Sequence, residues 1–322
     1  MEKNIAVDYL RLSITDRCNL NCIYCTPAKR RRFLPGDEIL TYEEMVRLAY
    51  LFSRAGINKL RITGGEPLIR KDIVSFIKML RKIKELKDIS MTTNGTLLKD
   101  YAEELKYAGI DRINVSLNTL RRKRFKSITG LDCFEDVWAG IMKSIECGLH
   151  PVKLNVILIK GINEDEILDF ARLTIKYPLV VRFIELFPTN IRTNSVTSRM
   201  VINDHVKEEI TTQLGFVVPT SEVKGNGPAE YFKLRKSEGV IGFISGSSSN
   251  FCSKCNRIRV DCTGRVFPCL FSEHICDLNP IFKKAGTENN LVDYIKNVLT
   301  MKQDYSKHVR NCKNVEMSKI GG

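Results

Sequence analysis

The sequence predicts an α/β fold: six parallel strands alternating with helices, then a smaller, mostly antiparallel C-terminal region. Three observations carry this reading. Six short β-patterned runs are separated by stretches of helical length with helical periodicity. Three joints repeat one form, a helix, a small residue, Gly, an apolar residue and a strand: RAGINKLRIT, YAGIDRINVS and ECGLHPVKLN. Their Gly56, Gly109 and Gly148 fit as left-handed residues that end a helix before the chain enters the next parallel strand. After about Gly225 the helical stretches give way to short alternating segments separated by Gly, Ser and Asn. The repeated βα unit means a parallel barrel or a doubly wound sheet, and in either the functional groups are expected at the C-terminal strand ends.

The strands are YLRLSI (9–14), KLRIT (59–63), DISMTT (88–93), RINVSL (112–117), VKLNVIL (152–158) and VVRFIEL (180–186). Each is short, and most are rich in β-branched residues. The helices between them are 41–55, opened by a Thr41/Glu44 capping box, then 73–87, 99–108, 134–147, and 165–176 behind an Asn163/Glu166 box. The segment 189–200, TNIRTNSVTSRM, reads as a long loop. Beyond Gly225, EYFKLR, GVIGFIS, NRIRVDC and RVFPCLF alternate as short strands, and a last helix at about 291–301 precedes a polar tail ending MSKIGG.

At 322 residues the chain has room for one barrel or two ordinary domains. No apolar run reaches membrane-spanning length, and the N-terminal MEKNIAVDYLRLS lacks the pattern of a secretory signal, so a cytoplasmic address with no membrane partner is expected. A net charge of +14 suits polyanionic partners. The basic runs KRRR (29–32) and RRKR (121–124) lie in apparent loops without interleaved aromatics, which reads as solvated surface and argues against nucleic acid.

Eleven cysteines in clustered spacings favour metal ligation over disulfides. Cys18, Cys22 and Cys25 form C-x3-C-x2-C directly after the first strand; Cys252, Cys255 and Cys269 form a second set of three. The others, Cys133, Cys147, Cys262, Cys276 and Cys312, read as small buried hydrophobes or bystander thiols. Spacing alone leaves two zinc sites with borrowed ligands, two electron-transfer clusters, or two clusters each with an open iron. TGGEP after the second strand offers unobstructed backbone N–H groups and the carboxylate of Glu66, suited to a zwitterionic amino-acid moiety.

The first cysteine set with TGGEP resembles the radical S-adenosylmethionine (SAM) enzymes. With INVSLNTL, KGINEDEI, FIEL, GFIS, FCSKCNRIRV, RVFPCLF and the terminal IGG, the chain from about Tyr9 onward is similar to the GTP 3′,8-cyclase family of molybdenum cofactor biosynthesis. The resemblance implies an incomplete six-stranded (βα) TIM-type barrel over residues 1–225 and a C-terminal region, 226–322, with a second cluster. It implies [4Fe-4S] clusters on Cys18, Cys22 and Cys25 and on Cys252, Cys255 and Cys269. The first would bind and cleave SAM to a 5′-deoxyadenosyl radical, and the second would meet the guanine of GTP.

For the substrate, the resemblance implies contacts from Arg11, Lys59, Arg61, Thr92, Lys153, Arg182 and the Arg257-Ile258-Arg259 segment. Arg11 and Arg182 would take part in catalysis with the Gly321-Gly322 tail. For SAM it implies Tyr24, Gly65, Ser116 and Phe187. The sequence departs from the family pattern at Phe187 and Thr26, where Met is usual, and at Asn118, where Asp is usual. A reductant protein such as flavodoxin or ferredoxin would supply electrons, and cyclic pyranopterin monophosphate synthase would take the product. The oligomeric state stays open, a homodimer being one form allowed. Two rivals remain: a radical SAM enzyme that modifies peptides, separable by GTP-dependent 5′-deoxyadenosine formation, and a non-catalytic metal-cluster module that binds RNA, separable by RNA affinity without SAM cleavage.

Overall fold

The structure, a computed structural model, describes residues 7–25, 33–186, 199–215, 217–223, 227–245, 255–270, 272, 275–279, 288–302 and 320. Thr26, Phe187, Cys252, Cys312, Gly321, Gly322, the run 29–32 and most of the expected loop 189–200 lie outside the described residues.

The six expected strands form and lie side by side in sequence order: β1 (Tyr9–Ser13), β2 (Lys59–Thr63), β3 (Asp88–Thr93), β4 (Arg112–Ser116), β5 (Val152–Ile157) and β6 (Leu179–Ile184), all parallel. The C-terminal strands, expected as a separate region, instead extend this same sheet at both edges. β7 (Val217–Pro219), β8 (Glu230–Leu234) and β9 (Val240–Ile244) attach beyond β6, with β9 parallel to it and β8 and β7 antiparallel. β10 (Arg257–Val260) pairs parallel with β1, and β11 (Arg265–Phe267) and β12 (Cys276–Asp277) follow antiparallel. An open parallel sheet needs its edges covered, and the C-terminal chain supplies that cover.

Parallel sheets are ordinarily apolar on both faces. Here one face alone is: Leu10, Leu12, Leu60, Ile62, Ile89, Met91, Ile113, Val115, Leu154, Val181 and Phe183 are fully buried in a single core. Against it pack the apolar faces of α1 (Tyr42–Arg54), α2 (Ile73–Arg81), α3 (Leu98–Ala108), α4 (Arg122–Thr129), α5 (Phe134–Glu146) and α6 (Ile167–Lys176). The alternate positions, among them Arg11, Arg61, Thr92, Asn114, Lys153 and Arg182, share the other face. In a flat sheet β2 and β6 would lie about 19 Å apart, beyond effective charge interaction in salt. Arg61 nevertheless depresses the Arg182 guanidinium, so the sheet curls into a partial barrel with the polar face inside.

Gly56, Gly109 and Gly148 take positive φ (112°, 102° and 75°) at the three repeated joints, as the sequence predicts. Thr41 closes its capping box, accepting from Glu44 N (3.2 Å) while Glu44 accepts from Thr41 N (2.8 Å). The second box does not form. Asn163 accepts from Ile159 N (2.7 Å) and donates to the carbonyls of Asn118 (2.6 Å) and Ile157 (2.9 Å), so its side chain braces the loop behind β5. The helix expected over 73–87 stops at Arg81. Turns such as Leu86 N to Ile83 O (3.2 Å) carry the apolar spacing of Leu80, Ile83 and Leu86 onward without a helix.

Two helices were absent from the sequence expectation. α4 opens on RRKR, with Arg121 as its N-cap, and the arginines pair with acids: Arg122 with Asp132 (2.8 Å), Arg121 with Asp165 (2.7 Å), and Arg124 with Asp165 (2.7 Å) and Glu166. α7 (Asn203–Leu214) buries only Asn203, Val206 and Ile210, too few apolar positions to stand out in the sequence. α8 (Glu288–Thr300) matches the expected last helix. No helix among the described residues is long and apolar enough to cross a membrane.

Candidate active site

The cysteine loop leaves β1 at the C-terminal mouth of the barrel and is pinned on three sides. Gly65 N and Glu66 N donate to the carbonyls of Thr15 and Arg17 (2.8 Å each). A Cβ at Gly65 would stand 2.2 Å from the Arg17 carbonyl oxygen, so the approach requires glycine. Asn94 and Asn19 join side chains (2.8 Å), and Asn19 donates to Thr96 (2.8 Å). Asn21 N and Ile23 N donate to the carbonyls of Thr129 and Ile128 at the end of α4 (2.8 and 3.0 Å). Behind the loop, Arg70 clasps both ends, donating to the carbonyls of Ile14 and Leu40 with its guanidinium 4.2 Å from the Tyr42 ring centre.

This arrangement changes the meaning of TGGEP. The N–H groups of Gly65 and Glu66, expected to serve a ligand, are spent on the cysteine loop. Glu66 is fully buried and staples two loops: it accepts from Leu68 N (3.0 Å), Thr93 Oγ1 (2.7 Å) and Asn94 N (2.6 Å). Burial pushes its carboxyl up to about 7, with the three donors acting the other way. Glu166 repeats the device one strand on, accepting from Thr119 Oγ1 and Leu120 N (2.6 Å each).

The donor set suits an iron-sulfur cube. Leu20 N and the Asn94 amide donate to Cys18 Sγ (3.4 and 3.7 Å), as suits a thiolate. Cys18, Cys22 and Cys25 are free of disulfides. Among the described residues no three Cys, His, Asp or Glu side chains converge on one metal ion. A cluster asks for no such convergence, because each of its irons takes one thiolate. Beside it, burial and the nearby Cys22 and Cys25 push the Tyr24 phenol well above its usual range. Tyr24 packs against Ile159 and Leu186, near Asn118, whose Oδ1 accepts from Ile157 N (2.9 Å). Ser116 closes β4 in register with Asn155.

Inside the barrel, cations from five strands meet. Arg11 pairs in register with Arg61 on one side and Arg259 on the other. Arg11, Lys153, Arg182 and Arg259 are each under 8% exposed. Burial first, then mutual repulsion, lowers Arg11 and Arg61, and holds Arg259 at about 10. Burial, then the charges of Arg182, Arg112 and Arg61, push the Lys153 amine down to about 6. Arg182, held to about 10 chiefly by burial, is cradled by neutral amides: Asn114 Oδ1 at 2.7 Å and Asn155 Oδ1 at 2.5 Å. The buried Arg182 Nε and Thr92 Oγ1 have no hydrogen-bond partner. Concentrated buried cations with unused donors are costly unless an anion arrives.

The described members of the second cysteine set, Cys255 and Cys269, sit at the other mouth. Cys255 precedes the first residue of β10, which runs parallel to β1, and Cys269 follows the last residue of antiparallel β11, so both mark the N-terminal end of the barrel. The sequence expectation placed functional groups at the C-terminal strand ends; Cys18, Cys22 and Cys25 follow the C-terminal end of β1, whereas Cys255 and Cys269 lie at the opposite end. Against the effect of burial, Arg257 and Lys302 pull the Cys255 thiol down to about 6, favouring a thiolate ligand. Lys302 donates to Cys255 Sγ (3.5 Å), the Pro268 carbonyl (2.9 Å) and the Arg257 carbonyl. The tail returns here: Arg259 donates to the carbonyl of buried Ile320 (3.5 Å).

Of the expected substrate contacts, Arg11, Arg61, Thr92, Lys153, Arg182, Arg257 and Arg259 share the inner face. Lys59 lies at the start of β2, its charge held by Asp8 (2.7 Å). Ile258 turns the opposite way, fully buried in the core. Asn114, Asn155 and Tyr231 also line the inner face and were missed. For the two asparagines the signal was in the sequence: Asn155 sits two positions from Lys153 and Asn114 two from Ser116, on strands where even spacing means one face.

Residues 12–174 match the family model described as the Radical SAM superfamily, and residues 179–308 match Molybdenum Cofactor Synthesis C. The chain is 44% identical to the GTP 3′,8-cyclase of Thermodesulfovibrio yellowstonii, over 99% of its own length and 98% of the relative. It is 46% identical to that of Petrotoga mobilis, over 83% and 82%. Among solved structures it resembles Streptococcus suis SuiB bound to S-adenosylmethionine, with TM-score 0.62 at 15% identity, covering 90% of this chain and 68% of that one, a likeness of fold.

Proposed function

The chain belongs to the GTP 3′,8-cyclases of the radical SAM superfamily, and from this premise we propose that it converts GTP to 3′,8-cyclo-7,8-dihydro-GTP, the first step toward molybdenum cofactor. The observation that carries the reading is the inner-face cluster of buried Arg11, Lys153, Arg182 and Arg259 with half-buried Arg61, between Cys18, Cys22 and Cys25 at one mouth and Cys255 and Cys269 at the other. A triphosphate is the kind of polyanion that such a concentration of cations recognises. Anaerobic incubation with GTP, SAM and reductant should give 5′-deoxyadenosine only when GTP is present. Equal formation without GTP would overturn the assignment.

In this reading Cys18, Cys22 and Cys25 hold the SAM-binding [4Fe-4S] cluster, and Cys252, Cys255 and Cys269 the second, so residues 1–225 and 226–322 each carry one. Bound there, the first cluster with SAM would supply radical chemistry for hydrogen removal from the nucleotide ribose. Tyr24, Gly65, Ser116 and Phe187 frame SAM, Gly65 by letting the cysteine loop close. Arg forks grip phosphate oxygens in two places at once and keep the nucleotide from rotating between the mouths. Thr92 offers its buried hydroxyl. Arg257 and Arg259 flank the second mouth, Lys59 lies at its rim, and Gly321 and Gly322 are assigned to catalysis with Arg11 and Arg182. The setting is cytoplasmic, with a low-potential protein such as flavodoxin or ferredoxin as reductant and cyclic pyranopterin monophosphate synthase downstream.

Lys153 makes this reading depend on pH. With its amine at about 6 in the free protein, it is mostly neutral at pH 7.5, and an anion bound beside it restores the proton. Below pH 6 the ammonium is already present; above it, affinity falls as pH rises, by up to about tenfold per unit, until the pKa of the bound form. Calorimetric titration with GTP in buffers of different ionisation enthalpy should show about one more proton taken up by the wild type than by Lys153→Met. Equal proton counts would contradict it.

A further inference from the structure

The structure assigns Tyr231 to the substrate site: we propose that its phenol, passing over Gly242, positions Lys153 and Arg182 against the phosphates of the nucleotide and adds a hydrogen bond of its own. The inference rests on the GTP reading above.

Tyr231 stands on β8, in register with Gly242 of β9, which is in turn in register with Arg182 of β6. These three positions therefore share the inner face. A side chain at Gly242 would fill the intervening space: its Cβ would lie 2.9 Å from Tyr231 Cε1 and 3.1 Å from Arg182 Cγ. The missing side chain lets an aromatic ring from β8, which lies inside the edge strand β7, reach past β9 to β6. The phenol oxygen ends 3.5 Å from Lys153 Nζ, and the ammonium lies 5.5 Å from the ring centre.

An aromatic face stabilises an ammonium in a buried setting, and a phenol orients it. Lys153 needs both, because Arg182, Arg112, Arg61 and its own burial all oppose its charge, with Asp88 as the counterweight. Tyr231 also favours the Arg182 cation. The phenol accepts from Lys153 and can donate its own proton to a phosphate oxygen, so one hydroxyl serves both groups.

The test is equilibrium binding of GTP and of inorganic tripolyphosphate, the latter by competition, to the reconstituted enzyme, with SAM affinity as control. Tyr231→Phe keeps the ring and removes the hydroxyl. It should weaken GTP and tripolyphosphate alike by about tenfold, the scale of a hydrogen bond in a charged group's company, and leave SAM binding unchanged. Gly242→Ala, which displaces the ring from Arg182, should act in the same direction. Loss below threefold in Tyr231→Phe for both anions overturns the proposal, as does a loss confined to GTP, which would place the phenol on the nucleoside. If the wild type binds tripolyphosphate but not GTP, the GTP reading fails instead, and the two failures are told apart.

Discussion

Arg182→Met should lower kcat/KM for GTP by at least about 100-fold while leaving the nucleotide-free protein no less stable. Arg182 is under 8% exposed, its Nη2 is shared between the amide oxygens of Asn114 and Asn155, and its Nε has no hydrogen-bond partner. Each hydrogen bond from a charged group contributes roughly 1.5–3 kcal/mol, so two bonds to an anion amount to at least about 3 kcal/mol, or about 100-fold. In the free protein the balance reverses. Burial holds the guanidinium down to about 10, which means that folding opposes its charge, and Met of similar length relieves that opposition. Thermal denaturation and GTP titration together check the pair of effects. A marked fall in melting temperature with unchanged GTP affinity would make Arg182 a structural residue.

Glu66→Ala should cost about 3–6 kcal/mol of stability and strip iron from the first cluster. Three buried donors, Leu68 N, Thr93 Oγ1 and Asn94 N, lose their acceptor at once, at roughly 1–3 kcal/mol each. That is a large part of the 5–15 kcal/mol typical of a whole domain. The damage reaches the cluster because Asn94 holds Asn19 and faces the sulfur of Cys18. Glu66→Gln should fall between, since its amide keeps one acceptor oxygen but turns donors toward Asn94 N–H. Chemical denaturation with iron content per protein measures both; a loss under about 1 kcal/mol for Glu66→Ala with full iron would refute the staple.

Much of this was legible in the sequence because it is local. The repeated joints at Gly56, Gly109 and Gly148 need only helix end geometry, and the Thr41 box needs only four residues. The cysteine spacings and the alternation of cations with apolar residues on β1, β5 and β6 are likewise written in order. What failed was also consistent. Asn163 and Glu66 were read by their neighbours in sequence, yet both are committed to partners on other elements. The RRKR run is solvated as expected at Arg121, Arg122 and Lys123, but it opens a helix instead of lying in a loop, and its acids, Asp132 and Asp165, arrive from later segments.

By itself the sequence determined the βα order, the inward periodicity of the cations and the two sets of three thiols. Only the tertiary structure decided that the C-terminal strands join both edges of the barrel, and so that Cys18, Cys22 and Cys25 lie at one mouth and Cys255 and Cys269 at the other. Strand pairing is set by which edges remain open once six strands have curled together, a property of the assembled sheet. The same holds for Tyr231, which gains its place only when Gly242 is beside it.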